Sequence, residues 1–260
     1  MREADLALLV DAARAAGEIA TSFTGPKAKR WDKPDGGGPV TEADLAVNDM
    51  LADRLRAERP DYGWLSEETE DDSARLGCDR VFIIDPIDGT RSFAEGSSTW
   101  AHALAIAEKG VVTTGVVFLP LRGLMYTASA GQGAFLNDAP LVPSDRAELD
   151  GSDILTTKPN IDPKHWQNRH VPSFRRAHRP SLAYRMALVA QGRFDGMLTL
   201  RDAWEWDIAA GDLILREAGA QVSDATGAPL KFNNAHPAQR GVIAGGKAIH
   251  GAIQSALLPM

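Results

Sequence analysis

A chain of 260 residues, 44% hydrophobic and with a formal net charge of −7, holds enough apolar material for one large domain or two closely joined halves, and lacks the basic surplus that a nucleic-acid backbone requires. Its single cysteine, Cys78, excludes an intrachain disulfide and a thiolate metal cluster, as expected of a protein kept in a reducing cytoplasm. The start Met1-Arg2-Glu3-Ala4-Asp5 lacks a signal-peptide pattern, and the longest apolar stretches fall short of the ~20 residues that span a bilayer, so no membrane partner is expected.

Leu6, Leu9, Val10, Ala13, Ala16 and Ala20 follow the three- and four-residue spacing of an amphipathic first helix. Residues 24–39 break that pattern with Gly and Pro, and Lys27, Lys29, Arg30 and Lys33 make the segment a mobile basic loop, expected to be neither helix nor strand. Thr41-Glu42-Ala43-Asp44 opens a second helix, limited by Pro60. Short strands are expected at 62–66 and 80–84, and 100–108, 111–119 and 123–130 read as an antiparallel meander. After about residue 145 a polar segment at 158–180 precedes a helix at 182–191, a strand at 194–200, a helix at 207–218, strands at 221–223 and 241–244, and a terminal helix. Residues 1–145 therefore read as an α+β half and residues 146–260 as a layered α/β half.

Asp85-Pro86-Ile87-Asp88-Gly89-Thr90 follows the apolar run Val81–Ile84, so two carboxylates emerge where a buried strand is expected to stop. Pro86 fixes one backbone angle and Gly89 permits a sharp turn, which lets Asp85, the Ile87 carbonyl and Asp88 converge. Two anionic oxygens and one neutral oxygen suit a hard cation such as Mg²⁺. A plain surface turn is the alternative for these residues. Glu67 follows a second predicted strand, and if the two strands are neighbours it shares an edge with Asp85. Asp207 sits at a predicted helix start, where an ordinary helix-start carboxylate is the simpler explanation. Asp44 likewise fits a capping box with Thr41. Gly241–Ala248 nearly matches a phosphate-binding loop but carries Ala248 instead of a hydroxyl, and reads as strand, turn and helix start. His165, His170 and His178, interspersed with Arg175, Arg176 and Arg179, read as a solvated loop with anion contact as the lesser alternative.

Together with Ser66-Glu67-Glu68, Pro39–Asp44 and Trp206-Asp207-Ile208-Ala209-Ala210-Gly211, the hexapeptide resembles the inositol monophosphatase superfamily of Mg²⁺-dependent, lithium-sensitive phosphatases. The resemblance runs through nearly the whole chain in the family's motif order. It implies a layered αβαβα sandwich, with Glu67, Asp85 and the Ile87 carbonyl holding one Mg²⁺ and Asp85, Asp88 and Asp207 a second. A third, weaker ion is implied near Glu67. Thr90 and Asp44 match the pair that orients and deprotonates the attacking water, with Glu67 assisting, and water attacks phosphorus without a phospho-enzyme. The resemblance also implies that backbone N–H groups at Gly89 and Thr90 contact the phosphate and that Lys33 supports closure of the site. It further implies a small phosphorylated metabolite as substrate and a homodimer as the working state.

Within the superfamily, Arg91 directly after Thr90 is more like relatives acting on bisphosphonucleotides or histidinol phosphate than like inositol-phosphate enzymes. The Trp206–Gly211 motif departs from the histidinol-phosphate pattern. Glu205-Trp206-Asp207 with Arg185 on the preceding helix looks most like the 3′(2′),5′-bisphosphate nucleotidases. The acidic residue with which inositol enzymes grip sugar hydroxyls has no clear counterpart, since Leu200 or its neighbour Asp202 stands there. A bisphosphonucleotide is therefore the first expectation; inositol 1-phosphate, histidinol phosphate and a catalytically idle, regulatory relative are the alternatives.

Overall fold

The computed structural model describes residues 2–23, 28–34 and 38–259. In chain order, α1 (Arg2–Ser22) leads through β1 (Arg30–Asp32) and β2 (Pro39–Thr41) to α2 (Glu42–Glu58). Next come β3 (Gly63–Ser66), β4 (Arg80–Asp88), the short α3 (Thr90–Ala94), β5 (Ala101–Glu108), β6 (Val111–Leu119), β7 (Leu124–Ser129), β8 (Ala134–Leu136) and β9 (Ala139–Pro140). The remainder holds β10 (Asp153–Leu155), β11 (Arg175–Ala177), α4 (Leu182–Ala190), β12 (Gly196–Thr199), β13 (Ala203–Trp204), α5 (Glu205–Ala218), β14 (Gln221–Ser223), β15 (Ala238–Gln239), β16 (Val242–Gly245) and α6 (Lys247–Ala256).

Strand alternation sorts these elements into layers. Phe82 and Ile84 of β4 pack with Leu9, Ala13, Val47 and Leu51 of α1 and α2, whereas Val81 and Ile83 join a second core with α4 and α5. The seven-stranded sheet, ordered β3 to β9, thus lies between two helical layers. A second sheet, ordered β11-β10-β12-β16-β14, repeats the split. Its Leu155, Met197, Val242 and Ala244 join the α4/α5 core, while Ile154, Leu198 and Ile243 pack on Ile249 and Ile253 of α6. The result is an αβαβα sandwich. The glycine of the Trp206–Gly211 motif is a packing requirement of the middle layer: a Cβ at Gly211 would lie 2.6 Å from Met186 Cβ on α4.

Strand direction places the site. β3 runs parallel to β4 with Ser66 opposite Ile84, so Glu67 and Asp85 leave the sheet at the same edge. The pairing of β4 with β5 shifts register between Asp85 and Asp88, a bulge that bends the hexapeptide out of the ladder.

Three expectations need correction. Residues 30–32 form a strand paired antiparallel with 39–41, because Val40 and Thr41 are buried and the Lys29 N–H reaches the Glu42 carboxylate at 3.1 Å; Lys27 lies outside the described residues. β4 continues through Asp88 instead of ending at Ile84, since His102 on the neighbouring strand holds the Pro86 carbonyl. α5 starts at Glu205, two residues earlier than its polarity suggests, because the Glu205 carboxylate is buried against Asn233 and Asn234. Among the described residues no helix is long and apolar enough to cross a membrane.

Candidate active site

Asp85, Asp88 and Asp207 offer carboxylate oxygens that all lie within 4.8 Å of one another. Asp85 and Asp88 come from the bulged end of β4 and Asp207 from the first turn of α5, so the trio joins the two halves of the chain. Burial, then the charges of Glu67, Asp88 and Asp207, holds the Asp85 carboxyl well above its ordinary range. Burial and the charge of Asp88 do the same to Asp207. Asp88 is pushed up to about 6, again mainly by burial. Its Oδ2 accepts from Ser181 Oγ at 2.7 Å and from the Ala183 N–H at 2.6 Å, which ties it to the start of α4. Asp85 Oδ1 is buried with no hydrogen-bond partner among the described residues. Such an oxygen costs free energy unless a ligand satisfies it, and a hard divalent cation is the ligand this all-oxygen set fits.

Asp44 does two jobs with two oxygens. Oδ2 accepts the Thr41 N–H at 2.9 Å and the Thr41 hydroxyl, completing the capping box at the start of α2. Oδ1 accepts from Thr90 Oγ1 at 3.1 Å, and the same hydroxyl lies 3.2 Å from the Ile87 carbonyl. Burial raises the Asp44 carboxyl to about 6. Gly89 precedes Thr90 in the left-handed region (φ 100°), a turn that glycine alone makes without strain, and α3 starts directly after it. Lys33 Nζ sits 2.9 Å from Glu67 and 2.7 Å from Glu68.

Glu67, Asp85, Asp88, Gly89, Thr90, Arg91, Arg185 and Asp207 all line one cavity of about 550 Å³. Arg201 and His178 line it too. Arg185 is held by the Arg179 and Pro180 carbonyls and by His178 Nε2 at 2.9 Å; burial lowers its guanidinium to about 10. Arg175 instead pairs with Asp153 at 2.6 Å, and Arg179 lies over the Phe194 ring. Leu200 packs into the core beneath α6, and neither it nor Asp202 is among the residues of the cavity wall.

Residues 1–258 match the profile of the inositol monophosphatase family. The chain belongs to that family. Inositol-1-monophosphatase of Rhizobium meliloti is 38% identical over 197 residues, covering 72% of this chain and 73% of the relative. Nus factor SuhB of Salmonella typhimurium is 34% identical over 235 residues, 85% of each chain. The solved structure of Thermotoga maritima IMPase has a TM-score of 0.81 at 29% identity, covering 98% of this chain and 96% of that one. This inositol monophosphatase family member is a metal-dependent phosphoric monoester hydrolase with the family's layered fold.

Four polar residues of the site, Asn48, His102, Ser181 and Arg201, were not picked out from the sequence, and His178, expected in a solvated loop, lines the cavity. Asn48, one turn after Asp44 on α2, accepts from Ser66 Oγ at 2.8 Å and Thr69 Oγ1 at 3.2 Å, which holds the Glu67-Glu68 turn. Its spacing from Asp44 was the available signal. His102 is a polar residue inside an apolar strand; burial lowers it to about 4, so it is neutral when Nδ1 holds the Pro86 carbonyl. Ser181 caps α4 and grips Asp88 with the same hydroxyl. Arg201 and His178 come from irregular segments whose periodicity carries no direction.

Proposed function

We propose that this phosphatase hydrolyses a small phosphomonoester carrying a second anionic group, with a 3′(2′),5′-bisphosphate nucleotide as first candidate. The observation that carries this is the cavity wall: Arg91, Arg185 and Arg201 share one pocket with Asp85, Asp88 and Asp207. The acids suit the reacting phosphate through bound cations, and guanidiniums suit a second phosphate through paired N–H donors. No carboxylate from position 200 or 202 faces the cavity to grip sugar hydroxyls. Histidinol phosphate would bring a cationic amine against the same arginines. An inositol 1-phosphate substrate is the second reading, supported by the name of the Rhizobium relative. An idle relative would have no use for a complete acidic set with an unsatisfied Asp85 oxygen.

Glu67, Asp85 and the Ile87 carbonyl are suited to one Mg²⁺, and Asp85, Asp88 and Asp207 to a second, with Glu67 available to a third. Bound there, divalent cations would supply Lewis acidity toward the phosphoryl oxygens and the attacking water. Thr90 would orient that water: its hydroxyl donates to Asp44 and keeps a lone pair to accept from the water, so as the water gives a proton to Thr90 Oγ1, Thr90 passes its own to Asp44 Oδ1, which becomes neutral. The N–H groups that open α3 at Gly89 and Thr90 are directed to the phosphate in this scheme. Residues 1–145 would then supply most metal ligands and the water-activating pair, and residues 146–260 would supply Asp207 and the substrate-side arginines.

For the intact protein we propose a cytoplasmic homodimer that engages neither a membrane nor a nucleic-acid polymer, in keeping with its net charge of −7. Sedimentation velocity with and without RNA tests this, and the Nus factor name of the Salmonella relative is the reason to include RNA. Phosphate release from adenosine 3′,5′-bisphosphate, inositol 1-phosphate, fructose 1,6-bisphosphate and histidinol phosphate, with and without lithium, tests the substrate. Adenosine 3′,5′-bisphosphate should give the highest kcat/KM, and lithium should inhibit. A preference for inositol 1-phosphate would overturn the first candidate in favour of the second.

A further inference from the structure

His102 is the polar exception in the apolar run Ala101–Ala107 of β5, on the face that carries Trp100 and Leu104 into the α1/α2 core. It is fully buried. Two rings flank its own: Trp100 meets it edge-on with centroids 5.3 Å apart, and Phe118 lies at 6.3 Å. Nε2 is buried with no hydrogen-bond partner among the described residues, so the ring fills this slot at a cost that an apolar residue would avoid. What it gains is a bond from Nδ1 to the Pro86 carbonyl. A carbonyl only accepts, so Nδ1 carries the proton.

The register of β4 on β5 explains why a donor is needed at this point. Asp85 pairs with Ala103 and Asp88 with Ala101, so Pro86 and Ile87 together face the single residue His102. A bulge of two residues against one disrupts the ladder and leaves backbone groups without their usual partners. Here side chains serve instead: His102 Nδ1 donates to the Pro86 carbonyl, and Thr90 Oγ1 lies 3.2 Å from the Ile87 carbonyl. Asp85 and Asp88 stand at either end of the bulge, so the tilt of the Pro86–Ile87 peptide sets how their carboxylates and the Ile87 carbonyl converge. His102 itself is not among the residues of the cavity wall, and acts through Pro86.

We propose that His102 is a positioning residue for the metal site: by holding the Pro86 carbonyl it fixes the bulge in the shape that presents Asp85, the Ile87 carbonyl and Asp88 to Mg²⁺. Mg²⁺ demands near-ideal octahedral geometry, so a small rotation of the bulge weakens its binding, whereas Ca²⁺ accepts looser arrangements. The proposal rests on the metal assignment made above and adds a residue that shapes the site without touching ion or substrate.

Calorimetric titration of Mg²⁺ and of Ca²⁺ into His102→Leu and His102→Asn tests it. Leu fills the slot without a donor, and the Kd for Mg²⁺ should rise about 10- to 100-fold, with a smaller rise for Ca²⁺. Asn places its Nδ2 where the imidazole Nδ1 stood, and should keep Mg²⁺ binding near the parent's even though the smaller side chain lowers the thermal midpoint. In the parent protein, the proton resonance of His102 Nδ1–H should shift when Mg²⁺ is added. Parent-like Mg²⁺ affinity in His102→Leu, an equal loss for both ions, a loss in His102→Asn as large as in His102→Leu, or an unmoved resonance would overturn the positioning role. Asp85→Asn, titrated alongside, separates this from the metal assignment. If Asp85→Asn also binds Mg²⁺ as the parent does, the assignment fails; if only His102→Leu does, the assignment stands and the role of His102 falls.

Discussion

Thr90 Oγ1 lies 3.1 Å from Asp44 Oδ1, joining the first turn of α2 to the turn that follows the central strand β4. The other Asp44 oxygen caps α2, so one carboxylate is shared between folding and the proton handling proposed for this site. Thr90→Ala should lower kcat by about 10²–10⁴, the usual scale for losing a positioned proton acceptor pathway, with little change in thermal midpoint. Asp44→Ala should lose the same turnover and, in addition, about 1 kcal/mol or more of stability from the lost cap. Stopped assays of phosphate release beside thermal melts separate the two effects; a Thr90→Ala protein with wild-type turnover would remove Thr90 from the relay.

The acidic trio ties stability to pH in a direction opposite to a salt-bridged carboxylate. Asp88 is raised to about 6, and Asp85 and Asp207 are held well above their ordinary value, each first by burial. A folded pKa above the unfolded one favours the protonated folded form. That stability is present below the unfolded value near 3.8 and is lost as pH rises through the folded values. Without metal, Asp85→Asn should therefore melt higher than the parent protein at about pH 8, and the gap should close toward about pH 4. Added Mg²⁺ should stabilise the parent at the higher pH and leave Asp85→Asn little changed. A metal-free Asp85→Asn protein that melts below the parent at high pH would show that burial and neighbouring charge do not penalise the ionised Asp85 carboxyl.

Lys33 bridges Glu67 at 2.9 Å and Glu68 at 2.7 Å, a cation already seated on a carboxylate proposed to bind metal. Burial pushes the Glu68 carboxyl up to about 7, which the ammonium partly offsets. Lys33→Gln should bind Mg²⁺ several-fold more tightly in calorimetry, because the ion no longer competes with the ammonium for Glu67. Weaker binding would show that Lys33 props the site open instead.

Glu205 anchors the start of α5. Its carboxylate accepts from the Asn233 N–H at 2.6 Å, the Asn234 N–H at 3.0 Å and Asn234 Nδ2 at 2.6 Å. Arg75 reaches the same loop through Asn233 Oδ1 at 2.7 Å and the Asn234 carbonyl at 2.9 Å. Glu205→Ala strands these donors in a buried setting and should cost about 3 kcal/mol or more in urea denaturation, with Glu205→Gln costing less. A cost near zero would mean that the loop at 231–239 rearranges freely.

The parts of the site that could be read in advance are those where chemistry and strand geometry coincide. Two aspartates around a proline and a glycine at the end of an apolar run have few uses, and Asp85 and Asp88 lie where that logic puts them. Asp44 and Asp207 were ambiguous for a physical reason: a helix start welcomes a carboxylate whether or not it also serves a site, and Asp44 caps α2 with one oxygen while the other accepts from Thr90. Arg201 and His178 could not be placed because irregular segments impose no side-chain period, so only the folded backbone says which of Leu200, Arg201 and Asp202 faces the cavity. Two strands of the second sheet, β10 and β11, were hidden for a related reason: Asp153–Leu155 is too short to show alternation, and Arg175–Ala177 is as short and also polar.

The proposed chemistry requires the three carboxylates of Asp85, Asp88 and Asp207 to act together on one phosphomonoester. Phosphate release at saturating Mg²⁺ by Asp88→Asn, with circular dichroism to confirm the fold, tests this most directly. The substitution is isosteric and leaves an oxygen for Ser181 and Ala183, so the protein should fold as before and lose turnover by about 10³-fold or more, with added Mg²⁺ giving no recovery. A folded Asp88→Asn protein that keeps a substantial fraction of parental turnover would contradict it.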